Sequence, residues 1–237
     1  MQINLKHLNA EESWKYILGF HERYHSKLKY FKYKYHTFVP NDKRMHDFIE
    51  IEKPTPEQIQ HYHDVFVNEI YTPSDLSRLD ETITKEVLPN FERAVEKQIV
   101  PLLSAWQTKI PEKLSIECLY GDGGSYGYGT TPRIIWRMSE FNGNKYGILG
   151  EFLHEFVHIL IEAPIITQYN VPQNLKENIV DIICLELFGH EPRNHFDRSF
   201  ANAYITPEAI RTDLAGAVKK MTDDYTALKQ AQSTKDR

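Results

Sequence analysis

One pentapeptide, His154-Glu155-Phe156-Val157-His158, has the residue types and the spacing to hold and use a metal ion. On an α-helix, side chains four residues apart share a face with Cβ atoms about 5–6 Å apart, so both imidazoles can reach one cation. Glu155, turned by about 100° from His154, then points toward a water on that cation rather than at the cation itself. The chemistry this arrangement serves is proton removal from water by a carboxylate beside a Lewis acid.

The pattern occurs twice. His21-Glu22-Arg23-Tyr24-His25 is a second literal HExxH, and its surroundings differ from those of the first. Around His154 the helix is apolar on nearly every side, with Ile148, Leu149, Phe152, Leu153, Phe156, Val157, Ile159 and Leu160. Such a helix is buried, and two imidazoles and a carboxylate buried without partners would cost several kcal/mol, which a metal removes. Around His21 stand Glu22, Arg23, Lys27 and Lys29, so that pair is expected on a solvated face, as a decoy.

A catalytic zinc takes three protein ligands and keeps one open position, so the two histidines need a third partner from elsewhere. Eighteen residues separate His158 from Glu177, which lies in the second turn of the next apolar segment. Asp181 follows four residues later on the same face, and the rest of that segment is Leu175, Ile179, Val180, Ile182, Ile183 and Leu185. Two carboxylates on an apolar helix need a cation or a donor.

This constellation resembles the gluzincin metallopeptidases, whose pattern is HExxH, a spacer, then a Glu ligand followed four residues later by an Asp. The resemblance implies Zn2+ held by His154, His158 and Glu177, with Glu155 as general base. It implies that Asp181 accepts the second ring N–H of a zinc histidine and fixes its tautomer. The spacer of eighteen is also that of the gluzincin aminopeptidases, although their amine-gripping GxMEN segment has no counterpart here. Thermolysin-like members steady the oxyanion with a Tyr soon after the active helix and with a later His. Tyr169 is similar in placement, as is His190, with His195 an alternative in the same GHEPRNHFD segment. The family also lays extended peptides along an edge strand before the active helix; Ile134–Met138 is placed for that role or for a plain core strand. The implied function is a zinc-dependent metallopeptidase acting on a peptide or protein substrate. The match runs from about Ile134 to Gly189, roughly a quarter of the chain.

The elements that must position these residues are legible from periodicity. Helices are expected over Lys145–Glu162, Pro172–Phe188 and Pro207 to about Gln230, the last with Ile210, Leu214, Val218, Met221 and Leu228 on one face. Leu114–Tyr120 alternates as a strand with Ile134–Met138 as partner, and the Gly-rich GDGGSYGYG between them reads as a hairpin loop, since no phosphate-binding register fits it. The first half is helical. Starts are marked at Asn9, at Thr55-Pro56-Glu57 and at Thr72-Pro73-Ser74-Asp75, and Pro89 and Pro101 are expected to kink or divide the run through Trp106. The expected fold is α+β, mostly helical: a small antiparallel sheet packed on the HExxH helix, and a second helix carrying Glu177. Residues 1–110 form a helical region of unassigned role and 111–237 the catalytic domain.

Composition bounds the alternatives. With 237 residues, 41% hydrophobic and 26% charged, the chain buries a core of ordinary size. A formal charge of −5 argues against nucleic acid and anionic lipid as partners, in spite of the cation-aromatic run KLKYFKYKYH at 27–36. His61 and His63, two apart on a helix, are a poor chelate and are expected at the surface. Cys118 and Cys184 read as reduced and buried. Met1–Ala10 has no apolar leader core and no segment reaches membrane-spanning length, so a cytoplasmic location is the expectation. The unassigned N-terminal residues leave two other readings: a non-catalytic zinc-containing or binding protein on a peptidase scaffold, or an inhibitory segment over the cleft.

Overall fold

The computed structural model describes residues 1–26, 39–72, 79–120, 124–128, 131–137, 147–190 and 198–235. The cation-aromatic run and His195 lie outside these residues. The fold is α+β and mostly helical, with one four-stranded sheet. Among the described residues no helix is long and apolar enough to cross a membrane. The chain forms two compact units that interleave in sequence. Both draw on residues before and after position 110, where the sequence suggested a boundary.

One unit comprises 2–88 and 113–148. Its sheet consists of β1 (Gln2–His7), β2 (Lys113–Leu119), β3 (Gly124–Gly127) and β4 (Arg133–Arg137), in the order β1-β2-β4-β3. Here the sequence expectation needs correcting. The sheet is mixed, not antiparallel: β2 runs parallel to both β1 and β4, and β3 alone is antiparallel, to β4. The Gly-rich segment is therefore more than a hairpin loop. Parallel neighbours cannot be joined by a tight turn, so the chain leaves β2, forms β3 on the far side of β4, and turns back into β4. Gly127 sits under the Arg133 side chain, which a Cβ would approach at 3.0 Å. β4 has a strand on each side, so of the two roles open to this segment it takes that of a core strand; Ile134, Ile135 and Trp136 are buried, and Met138 lies outside the described residues.

Helices α1 (Ala10–Ser26), α2 (Lys43–Glu50) and α3 (Pro56–Val65) share a core built on Trp14, Ile17, Phe20, Met45, Phe48 and Phe66. Their starts are set by local chemistry. Asn9 accepts from the Glu12 N–H at 2.9 Å while the Glu12 carboxylate accepts from the Asn9 N–H at 3.0 Å. Thr55 and Gln58 form the same reciprocal box ahead of α3, with Pro56 in the first turn, where a missing N–H costs nothing. Thr55→Ala is expected to lower stability by about 1 kcal/mol, read as a lower urea midpoint at unchanged slope; an unmoved midpoint would refute the cap's contribution.

The other unit comprises Met1, 89–112 and 149–237. Residues 79–102, of which 79–88 belong to the first unit, are helical backbone, with π-type turns at Ile83–Val87 and Val95–Ile99, α4 at Leu88–Ala94 and a 3₁₀ turn at Val100–Leu102. Pro89 and Pro101 thus mark changes of helix type, not breaks. Each follows a π turn, where the regular i to i−4 ladder that a proline would interrupt has already been given up. Phe91 packs edge-on against Phe156, ring centroids 5.3 Å apart, and against Phe152. Trp106, fully buried, donates its indole N–H to the Ile210 carbonyl at 2.9 Å.

Phe152 and Phe156 belong to α5 (Gly147–Ile161), which is buried from Gly150 to Ile161, as its all-round apolar surface requires. A π turn over Glu162–Thr167 leads to α6 (Gln173–Phe188), closed by Gly189 in the left-handed region at φ 68°. After α7 (Ser199–Asn202), the expected C-terminal helix is two, α8 (Pro207–Thr212) and α9 (Leu214–Lys235), parted at Asp213. Leu214, Val218 and Met221 of α9 are buried, but Leu228 is 51% exposed, so the last turns pack less than the pattern suggested.

Candidate metal centre

α5 and α6 bring three ligand atoms together. His154 Nε2 and His158 Nε2 lie 3.2 Å apart, with the ring planes at 69°. Glu177 Oε2 stands 3.5 Å from His158 Nε2 and 4.0 Å from His154 Nε2. These are the groups whose ligand atoms can share one cation. A tetrahedral ion with bonds of about 2.0–2.2 Å spaces its ligand atoms about 3.3–3.6 Å apart, so the triangle has the size that zinc needs, with one side slightly long. The residues fit the metal.

The helices explain the convergence. His154 and His158 share a face of α5 through their spacing of four, and both are almost wholly buried, at 5% and 2% exposure. Glu177 comes from the second turn of α6, its side chain 15% exposed. Asp181, one turn on and 1% exposed, faces the other nitrogen of His154, with Oδ1 3.8 Å from Nδ1. That is an ion-pair separation rather than a hydrogen bond, and it leaves Nε2 directed at Glu177. Glu155 is also buried, at 6%.

Glu151 and Glu155 of α5, Glu162 of the π turn and Asp181 of α6 are buried as well, and Glu177 is mostly buried. Lys176 meets Glu162 at 3.8 Å.

No family model, curated protein or solved structure matches this chain. The reading therefore rests on the geometry of α5 and α6 and on the motif they carry.

The two expected oxyanion residues are placed differently. Tyr169 lies half-buried in the turn after the π segment, its backbone N–H donating to the Ile165 carbonyl at 3.0 Å. His190 packs on Phe188 beyond the C-terminus of α6, ring centroids 5.6 Å apart. α6 is continuous, and at about 1.5 Å per residue it separates His190 from Glu177 by about 20 Å along its axis. The structure does not bring His190 to the three-atom cluster.

The decoy is a decoy for a different reason from the one expected. His21 and His25 are not on a solvated face: His21 is 6% exposed and stacks on Phe48 at 4.9 Å. Their Nε2 atoms each meet a backbone carbonyl at 2.7 Å, Ile51 for His21 and Ile49 for His25. They cap the end of α2 and are occupied there. Burial pushes the His21 imidazole below its ordinary value of 6.5, against the pull of the Ile51 carbonyl. A base whose folded pKa is depressed is neutral when folded and protonated when unfolded, so stability rises with pH across the window just below 6.5. His21→Gln, which keeps a donor for Ile51, is expected to flatten that rise in a series of urea midpoints against pH; an unchanged slope would rule His21 out as its source.

His61 is exposed as expected, but His63 is half-buried, edge-on to Trp14 at 5.6 Å and 2.9 Å from Glu11 Oε1. Burial pulls its pKa down, yet the Glu11 and Asp64 carboxylates outweigh burial and lift it. Cys118 is buried with its thiol pushed up to about 12 by burial, and Cys184 is buried too; neither is in a disulfide.

Sequence reasoning missed Gln173, whose side-chain N–H donates to Glu177 Oε1 at 2.6 Å. Its signal was available: it precedes Glu177 by four residues, so one helix face carries both. It also missed the Glu162–Lys176 pair, whose residues sit next to the motif rather than in it.

Proposed function

We propose that this protein is a zinc-dependent metallopeptidase of gluzincin type, hydrolysing bonds in a peptide or protein substrate. The observation that supports it most is the meeting of His154 Nε2, His158 Nε2 and Glu177 Oε2 from two buried helices. These three residues would hold the zinc, and Asp181 would fix His154 from behind through Nδ1. Zinc in such a site supplies a Lewis acid that polarises a carbonyl and draws the pKa of water toward about 7.

The chain's own residues do the rest. Glu155 leaves the metal to its neighbours and accepts a proton on its carboxylate as water adds to the scissile carbonyl. It then gives that proton to the departing amine, so one water is consumed and a carboxylate and an amine are formed. Burial of α5 leaves the Glu155 carboxylate 6% exposed.

The test is metal analysis of the purified protein together with digestion of a peptide library with and without a zinc chelator. One zinc per chain and chelator-sensitive cleavage are the expected results; absence of both would end the reading. A non-catalytic zinc-containing or binding protein is favoured by one observation, the separate core of the unit bearing Trp14 and Phe48, which this chemistry does not use. It predicts bound zinc with no turnover on the same library.

A further inference from the structure

We propose that Gln173 is a positioning residue for the metal, holding Glu177 so that a single carboxylate oxygen is offered to it. The inference rests on the zinc reading above and concerns how the third ligand is presented. The Gln173 amide occupies Glu177 Oε1 at 2.6 Å, while both histidine nitrogens face Oε2, at 3.5 and 4.0 Å. The two oxygens therefore have different partners.

The physical reason lies in the last torsion of a glutamate, which is broad and nearly two-fold, so an unrestrained carboxylate can present either oxygen or both. A donor on one oxygen selects the other, and a hydrogen bond to a charged acceptor is the stronger kind. Gln173 is well placed to act as that donor. It is the first residue of α6, follows Pro172, and stands one turn before Glu177 on the same face. Gln173 is itself exposed, so its side chain is not fixed by the core, and water competes for its amide. A glutamate gripping a metal through both oxygens would fill the fourth position that hydrolysis needs open. Gln173 thus guards the vacant corner without touching the metal.

The test compares wild type, Gln173→Ala and Gln173→Lys, the last keeping a donor of similar reach. Zinc affinity is measured by competition with a chromophoric chelator, and coordination by the visible absorption of the cobalt-substituted proteins. Gln173→Ala is expected to lose about 10–100-fold in zinc affinity. Its cobalt absorption should weaken, as four-coordinate character gives way when Glu177 turns both oxygens inward. Gln173→Lys should restore both. Urea midpoints of the metal-free proteins are expected to be equal, because residue 173 is exposed. Equal affinity and an equal spectrum for Gln173→Ala would overturn the inference while leaving the zinc reading standing. Lost affinity with an unchanged spectrum would also overturn it, reducing Gln173 to a support for the helix start. A wild type that binds neither zinc nor cobalt would remove the metal reading and this inference together.

Discussion

Glu155→Gln is expected to lower peptide hydrolysis by about 10²–10⁴-fold while leaving one zinc per chain, the range over which a positioned general base accelerates proton transfer. The substitution preserves the shape of the side chain and removes its ability to take a proton. Glu155 is buried at 6%, and the residues whose ligand atoms converge are His154, His158 and Glu177, so the metal should not depend on it. Three measurements separate the outcomes: zinc content, cleavage of a fluorogenic peptide, and the thermal midpoint. Full activity in the variant would exclude Glu155 as the base, whatever the metal does. Loss of zinc together with activity would make Glu155 part of the binding site instead.

The second large effect concerns stability. A ligand that binds only the folded state adds about 4 kcal/mol when present at a thousand times its dissociation constant. For a chain of this length a change of that size moves the thermal midpoint by about 8–16 °C. Chelation should therefore lower the Tm of the wild type by about that amount. His158→Ala, which removes a ligand that is 2% exposed, should start from the lower midpoint and respond to neither zinc nor chelator. A wild-type midpoint indifferent to chelation would show that nothing in the fold depends on a metal.

Local signals carried much of this far. The apolar circumference of α5 announced its burial, and the offset of four residues placed His154 beside His158 and Glu177 beside Asp181. The reciprocal caps at Asn9 and Thr55 followed from side-chain chemistry within four residues. What failed was long-range. Strand pairing depends on which segments meet, and nothing in Leu114–Tyr120 or Ile134–Met138 says whether they run parallel or antiparallel. That is why the sequence left Ile134–Met138 open between an edge and a core role, and the pairing of β4 on both sides decides it. His21 and His25 were misplaced for the same reason: charged neighbours suggested solvent, but the carbonyls that hold them belong to residues more than twenty positions away. His190 was tied to the site by likeness of sequence order, and the straight run of α6 carries it off.

The pairing of β1 with β2 joins residues 2–7 to residues 113–118. On a ribosome, the first strand must wait for more than a hundred residues to be made before its neighbour arrives, and closing so long a loop is a slow step. A fragment begun near position 110 would expose the backbone of β2 along one side, an invitation to stack with copies of itself. Preparing residues 111–237 alone by trimming would therefore yield aggregate rather than a folded protein, so proteolytic nicking, which keeps both pieces associated, is the better way to ask what the first half does.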